Sequence, residues 1–127
     1  MAHRLSQADR RERTPKRGEI YLVDFAAAGG SLKKIRPAVI VQNDMGNEFA
    51  PHTIVAALRD AKGKSPLPVF VRVPRGVAGL TKDSIVDCAQ LATITREQLG
   101  PRWGSLPAEW MTAVDRALVA SLGIAFQ

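Results

Sequence analysis

The feature that most constrains this chain is a change of hydrophobic period partway along it. From residue 18 to residue 95, short runs of β-branched, aliphatic and aromatic residues alternate with glycine, proline, asparagine and aspartate. Such runs read as strands separated by turns. They lie at 18–25 (GEIYLVDF), 38–42, 52–58, 67–73, 84–88 and 91–95. Beyond residue 106 the spacing switches to threes and fours, with Trp110, Met111, Val114, Ala117, Leu118, Ser121 and Leu122 sharing one helical face. The pattern predicts one amphipathic helix over 107–122, with Pro107 in its first turn and Gly123 as its stop. Ser105 and Leu106 are both candidates for its cap. Six closely spaced short strands and one terminal helix imply a mainly β, α+β fold, a small and strongly bent sheet or barrel with the helix packed on it.

A chain of 127 residues buries roughly two-thirds of its unfolded surface, enough for one core and too little for two ordinary domains. No apolar run approaches the roughly 18 residues of a bilayer span, so no membrane role is expected. Cys88 is the single cysteine, which rules out an internal disulfide and fits a reducing, cytoplasmic setting. No apolar segment follows the N-terminal basic residues, so no secretory signal is expected.

The net charge of +6 is unevenly spread. Residues 1–17 hold six Lys and Arg against two Asp and Glu, a net +4, and contain almost nothing to bury. Residues 1–16 therefore read as a disordered basic arm. Two further basic groups follow, Lys33, Lys34 and Arg36, then Arg59, Lys62, Lys64, Arg72 and Arg75, whereas residues 83–127 carry three basic against five acidic side chains.

Several chemistries are absent. No Gly-Lys-Ser/Thr phosphate loop exists, and His3 and His52 are too few for a histidine metal cluster or a paired-histidine ribonuclease site. No cofactor is expected. An active site would have to rest on arginine, hydroxyls and backbone amides.

RGEIYLVDF at 17–25 and RPAVIVQND at 36–44, followed in order by Gly46-Asn47, Pro51-x-Thr53-Ile54-Val55-Ala56, Lys82-Asp83-Ser84-Ile85-Val86 and Val114-Asp115-x-Ala117-Leu118, resemble the MazF/PemK family of toxin endoribonucleases. The resemblance runs from about residue 16 to residue 124 and makes 17–127 a toxin-like domain. It implies a CcdB/MazF-type SH3-like barrel with a C-terminal helix, assembled as a homodimer. It also implies metal-independent cleavage of single-stranded RNA, through attack by the 2′-OH, and neutralisation by an antitoxin whose acidic, disordered segment suits a basic groove. Two other functions stay open on the same fold class, a non-catalytic CcdB-like gyrase poison and a basic barrel that binds RNA without cutting it.

Arg36 matches the family's catalytic arginine. A guanidinium is always charged and its fork fits two phosphate oxygens, so Arg36 is expected to stabilise the phosphorane and is a candidate proton donor. The bland reading is an ion pair with Asp24 or Glu19. At the end of the third strand, where relatives commonly have Thr or Ser, this chain has Arg59. Arg59 is expected to bind the scissile phosphate, with Thr53 or Ser65 as substitute hydroxyls, a slow enzyme as the third possibility and a solvated loop charge as the bland one. Lys33, Lys34, Lys62 and Lys64 are expected to attract RNA, and Gln42, Asn43 and Gln90 to read base edges. Leu32-Lys33-Lys34, Ala89 and Ala92 depart from the family pattern, so cleavage specificity does not carry over. Asn43-Asp44 is also a turn signal; Phe49, Phe70 and Trp110 read first as core residues, His52 as a packed or surface residue, and Cys88 as a buried strand hydrophobe.

Overall fold

The computed structural model describes residues 14–25 and 35–125. Residues 1–13, and with them most of the expected basic arm, lie outside that set. Residues 14–16, which composition assigns to that arm, are described and make contacts. Pro15 is buried and the Lys16 N–H donates to Glu19 Oε1 at 2.6 Å, closing a tight turn that starts the first strand.

Among the described residues six strands form one antiparallel sheet in the order β4-β5-β3-β2-β1-β6. They are β1 (Glu19–Asp24), β2 (Ile35–Ile40), β3 (His52–Asp60), β4 (Phe70–Val73), β5 (Ser84–Thr95) and β6 (Leu99–Ser105). A short helix, α1 (Asp44–Phe49), joins β2 to β3, and α2 (Ala108–Leu122) ends the chain. The sheet stays open, with β4 and β6 as edges. Two strands expected at 84–88 and 91–95 are one. Their interruption is a bulge: Ala56 pairs with Leu91 but Ala57 pairs with Asp87, which leaves residues 88–90 as excess on β5.

β6 is the strand that the hydrophobic pattern misses. Gly100, Pro101 and Gly104 occupy three of its seven positions and dilute the apolar signal. An edge tolerates proline, since one side needs no donor. Gly104 has a packing reason, because a Cβ there would stand 2.7 Å from the carbonyl oxygen of Ala78.

The turn signal at Asn43-Asp44 opens a six-residue helix, α1. Asn43 caps it, its side chain accepting the Gly46 N–H at 2.7 Å. The other end is held by Arg96, whose Nη2 donates to the carbonyls of Asn47 and Glu48. Arg17 ties this corner to α2, with its N–H on Asp44 Oδ1, its Nε on Val41 O and its Nη2 on Asp115 Oδ1.

The sheet buries both faces. Ile20, Val39, Ala56, Leu58, Val71 and Val86 face α2, which contributes Val114 and Ala117. Gly123 adopts φ 67 and stops α2 as expected, while Pro107 sits one position earlier than expected, as the residue before its first turn. The opposite face carries Val23, Phe25, Ala38, Ile40, Val55, Ala57 and Ile94. The candidate site lies on this second face.

Candidate active site

Arg36 is the second residue of β2, within the strand rather than at its mouth, and pairs with Val23. Alternation puts it on the face of Ala38 and Ile40. Pro37 sits beside it without breaking the sheet. Val41 N–H points at Ile54 of β3, so by the same alternation Pro37 is turned toward β3, where pairing begins only at Ala38. No ladder bond is lost. Arg36 Nε is buried and lacks a hydrogen-bond partner, and among the described residues no ion pair includes Arg36. The expected ion pair with Glu19 does not form. Glu19 is taken by Arg102 at 3.0 Å, by the Tyr21 hydroxyl and by Lys16 N–H.

Arg59 is held in β3, not delivered into a loop. β2 and β3 pair up to Ala38–Ala57, and alternation puts Arg59, two residues beyond Ala57, on the same sheet face as Arg36, two residues before Ala38. It is not a solvated charge either. Its Nη1 donates to Asp87 Oδ2 at 3.0 Å, and the Asp87 side chain is only 3% exposed against 27% for Arg59. The other carboxylate oxygen, Oδ1, accepts the Ala89 N–H at 3.0 Å, so Asp87 also shapes the start of the bulge. Asp87 was not among the residues expected at the site. Its signal is a lone carboxylate inside the apolar run SIVDCAQL, where burial demands a cation or several donors.

Thr53 is not brought to the arginines. It stands six residues before Arg59 on β3, about 20 Å away along an extended chain. Its hydroxyl is buried and donates to Asn47 Oδ1 at 2.6 Å. Asn47 is itself fully buried; its Nδ2 donates to Gln42 O and its Oδ1 also accepts from Gln42 Nε2. Gln42 Nε2 further reaches His52 O at 2.9 Å. Thr53, Gln42 and the cap Asn43 are thus used to build the α1 corner. A hydroxyl and two amides selected for catalysis or base reading have structural partners instead.

Lys33 and Lys34 lie outside the described residues. Lys62 is exposed, Lys64 half-buried, and Gln90 half-buried within the β5 bulge. Ser65 is exposed in the loop before β4, and His52 is exposed at the start of β3. Phe49, expected in the core, is 78% exposed on α1, whereas Trp110 packs against the α2-side core and donates Nε1–H to Arg72 O. Cys88 is buried, and burial, followed by the neighbouring Asp87 carboxylate, pushes its thiol up to about 12. A thiol of that kind is a hydrophobe at neutral pH, not a nucleophile. Among the described residues no three His, Cys, Asp or Glu side chains converge to hold a metal. A groove of about 550 Å³ lies between β4 and α2, beside Phe70, Trp110 and Arg116, away from the β2–β3 arginines.

Among the described residues, an arginine without an ion pair thus shares one sheet face with an arginine paired to a buried carboxylate, an arrangement chemically able to take an anion. Residues 16–122 match the family of PemK-like, MazF-like toxins of type II toxin-antitoxin systems. The chain is 37% identical over 110 residues to the endoribonuclease MazF of Staphylococcus epidermidis, covering 86% of this chain and 92% of that one. In fold it is similar to a mycobacterial endoribonuclease solved with its cognate antitoxin, at a TM-score of 0.75 and 20% identity over 89% of this chain and 99% of the other. The Mycobacterium tuberculosis toxin MazF-mt6 gives a TM-score of 0.71 at 24% identity, over 85% and 99%. With the family model spanning both arginine strands, the two-faced sheet and the terminal helix, this chain belongs to the PemK-like, MazF-like toxins of type II toxin-antitoxin systems.

Proposed function

We propose that this toxin is a metal-independent, sequence-specific endoribonuclease that cuts single-stranded RNA in the cytoplasm. It leaves a 2′,3′-cyclic phosphate and a 5′-hydroxyl. Its 37% identical relative is an endoribonuclease. The observation that carries the chemistry is Arg36, whose Nε is buried and unpartnered and which, unlike Arg96 with its Nη2 bonded to the Asn47 and Glu48 carbonyls, has no ion pair among the described residues. Leaving such a donor unsatisfied costs about 1–3 kcal/mol, which a bound anion recovers. In cleavage the 2′ oxygen attacks phosphorus, the 5′ oxygen leaves, and charge builds on the non-bridging oxygens in between. Arg36 meets that charge. Arg59 presents a second guanidinium on the neighbouring strand.

The same reading makes the protein a homodimer and gives it an antitoxin partner, as in the mycobacterial relative solved with its cognate antitoxin. An acidic antitoxin segment would compete with RNA for an uncompensated arginine. The test is incubation with a long single-stranded RNA in EDTA, followed by mapping of the ends. Discrete cuts bearing 5′-hydroxyls are expected, and Arg36→Ala should slow them by about a hundredfold or more. Near-normal cutting by Arg36→Ala removes Arg36 from the mechanism. Intact RNA throughout removes the nuclease reading.

A further inference from the structure

We propose that Asp87 is the positioning residue of this site, aiming Arg59 at the RNA phosphate and cancelling its charge. The inference rests on the nuclease reading above. Three observations support it. Asp87 is fixed on both sides, pairing with Ala57 of β3 and with Phe70 of β4, so its carboxylate has a rigid base. It engages Arg59 through one nitrogen alone, Nη1. The Nε–Nη2 edge, the other fork of the guanidinium, has no partner among the described residues, and Arg59 keeps 27% exposure. That edge has the geometry to take two phosphate oxygens.

The third observation is electrostatic. Arg36 and Arg59 lie on adjacent strands on one face, and two bare guanidiniums there would repel. A buried carboxylate on Arg59 removes that repulsion while leaving a fork open. Arg36 then supplies the uncompensated charge, and Arg59 supplies aimed donors in place of the hydroxyl that relatives commonly have at this position. Asp87 does not touch the substrate; it acts through Arg59.

The experiment uses the full chain and an RNA oligonucleotide spanning a cut mapped on the long RNA, under single-turnover conditions. Folding of each variant is checked by circular dichroism. Asp87→Asn should lower the maximal rate by about tenfold or more, while the half-saturating concentration stays level or falls, because the site gains positive charge. Asp87→Glu should recover part of the lost rate. Arg59→Gln should be at least as slow as Asp87→Asn, and the double variant no slower than Arg59→Gln alone. A folded Asp87→Asn protein with the wild-type maximal rate overturns the proposal, as does a double variant in which the two losses multiply. If Asp87→Asn does not fold, Arg59→Lys decides, since lysine keeps the charge and loses the fork. A rate within about threefold of wild type for Arg59→Lys overturns the proposal and about a tenfold loss supports it. Loss of cutting in Arg36→Ala with Asp87→Asn unaffected sinks this inference and spares the nuclease. A wild-type protein that cuts no RNA removes both.

Discussion

Thr53→Val separates a structural hydroxyl from a catalytic one. The exchange keeps the β-branch and nearly the volume, so strand preference and the place opposite Ile94 are retained. What disappears is one buried hydrogen bond of 2.6 Å to Asn47 Oδ1. The acceptor is not orphaned, because Gln42 Nε2 still donates to it at 3.0 Å. The cost is therefore that of one bond without a desolvation penalty, about 1 kcal/mol. For a chain of this size that is roughly 3–5 °C in melting temperature. Asn47→Leu is different in kind. It strips Thr53 and Gln42 of a shared acceptor and Gln42 O of a donor, leaving a hydroxyl buried without a partner, and should cost about 3 kcal/mol. Urea melts give both values, and in the double variant the Thr53 effect should shrink or change sign. RNA cleavage by Thr53→Val should equal wild type once corrected for the folded fraction. A variant of unchanged stability that loses a hundredfold or so in cleavage would refute this argument and restore Thr53 to the chemistry.

Two further outcomes follow from the packing. Gly104→Ala forces a Cβ to within 2.7 Å of the Ala78 carbonyl and should cost at least about 2 kcal/mol in a urea melt, whereas Gly63→Ala, which meets no atom within 4 Å, should cost less despite its φ of 74. Cys88 sets an alkaline limit: the unfolded thiol ionises near 9 and the folded one near 12, so the unfolded state loses its proton first. Stability should fall between those values by about 1.4 kcal/mol per pH unit, and Cys88→Ala should flatten that part of the pH–stability curve. A curve of identical slope in the variant would show that the thiol contributes nothing there.

The local pattern carried much of the fold. Strands β1, β2, β3 and β4 and helix α2 overlap the apolar runs that predict them, since one face of each must be buried wherever it ends up. Gly123 stops α2 because its conformation is a local property of glycine. The misses share a cause as well. At 84–95 a break in alternation is a bulge rather than a strand end, and only the β3 partner reveals that pairing resumes beyond it. β6 has little apolar signal and is a strand because β1 offers it an edge. The turn at Asn43 becomes helix because Arg17 and Arg96, 26 residues before and 53 residues after Asn43 in the chain, bond its two ends.

The candidate site divides in the same way. The sequence by itself determined that an arginine beside Pro37 enters a β run, that no metal-ligand motif accompanies it, and that Arg59 ends the third apolar run, where the family resemblance implies a hydroxyl. These are facts of identity and order. Whether a polar side chain is free or spent depends on partners that sequence order does not reveal. Thr53, Gln42 and Asn43 looked available until Asn47 and Gly46 were seen to hold them. Arg59 is expected to bind phosphate, with a solvated loop charge as the alternative, and nothing in the sequence order shows that β5 sets Asp87 against it, 28 residues on. Only the tertiary structure decided those pairings, because burial favours partners for polar groups and the register sets which strand supplies them. Among the described residues the exceptions are Arg36 Nε and Arg96 Nε, both buried without a partner.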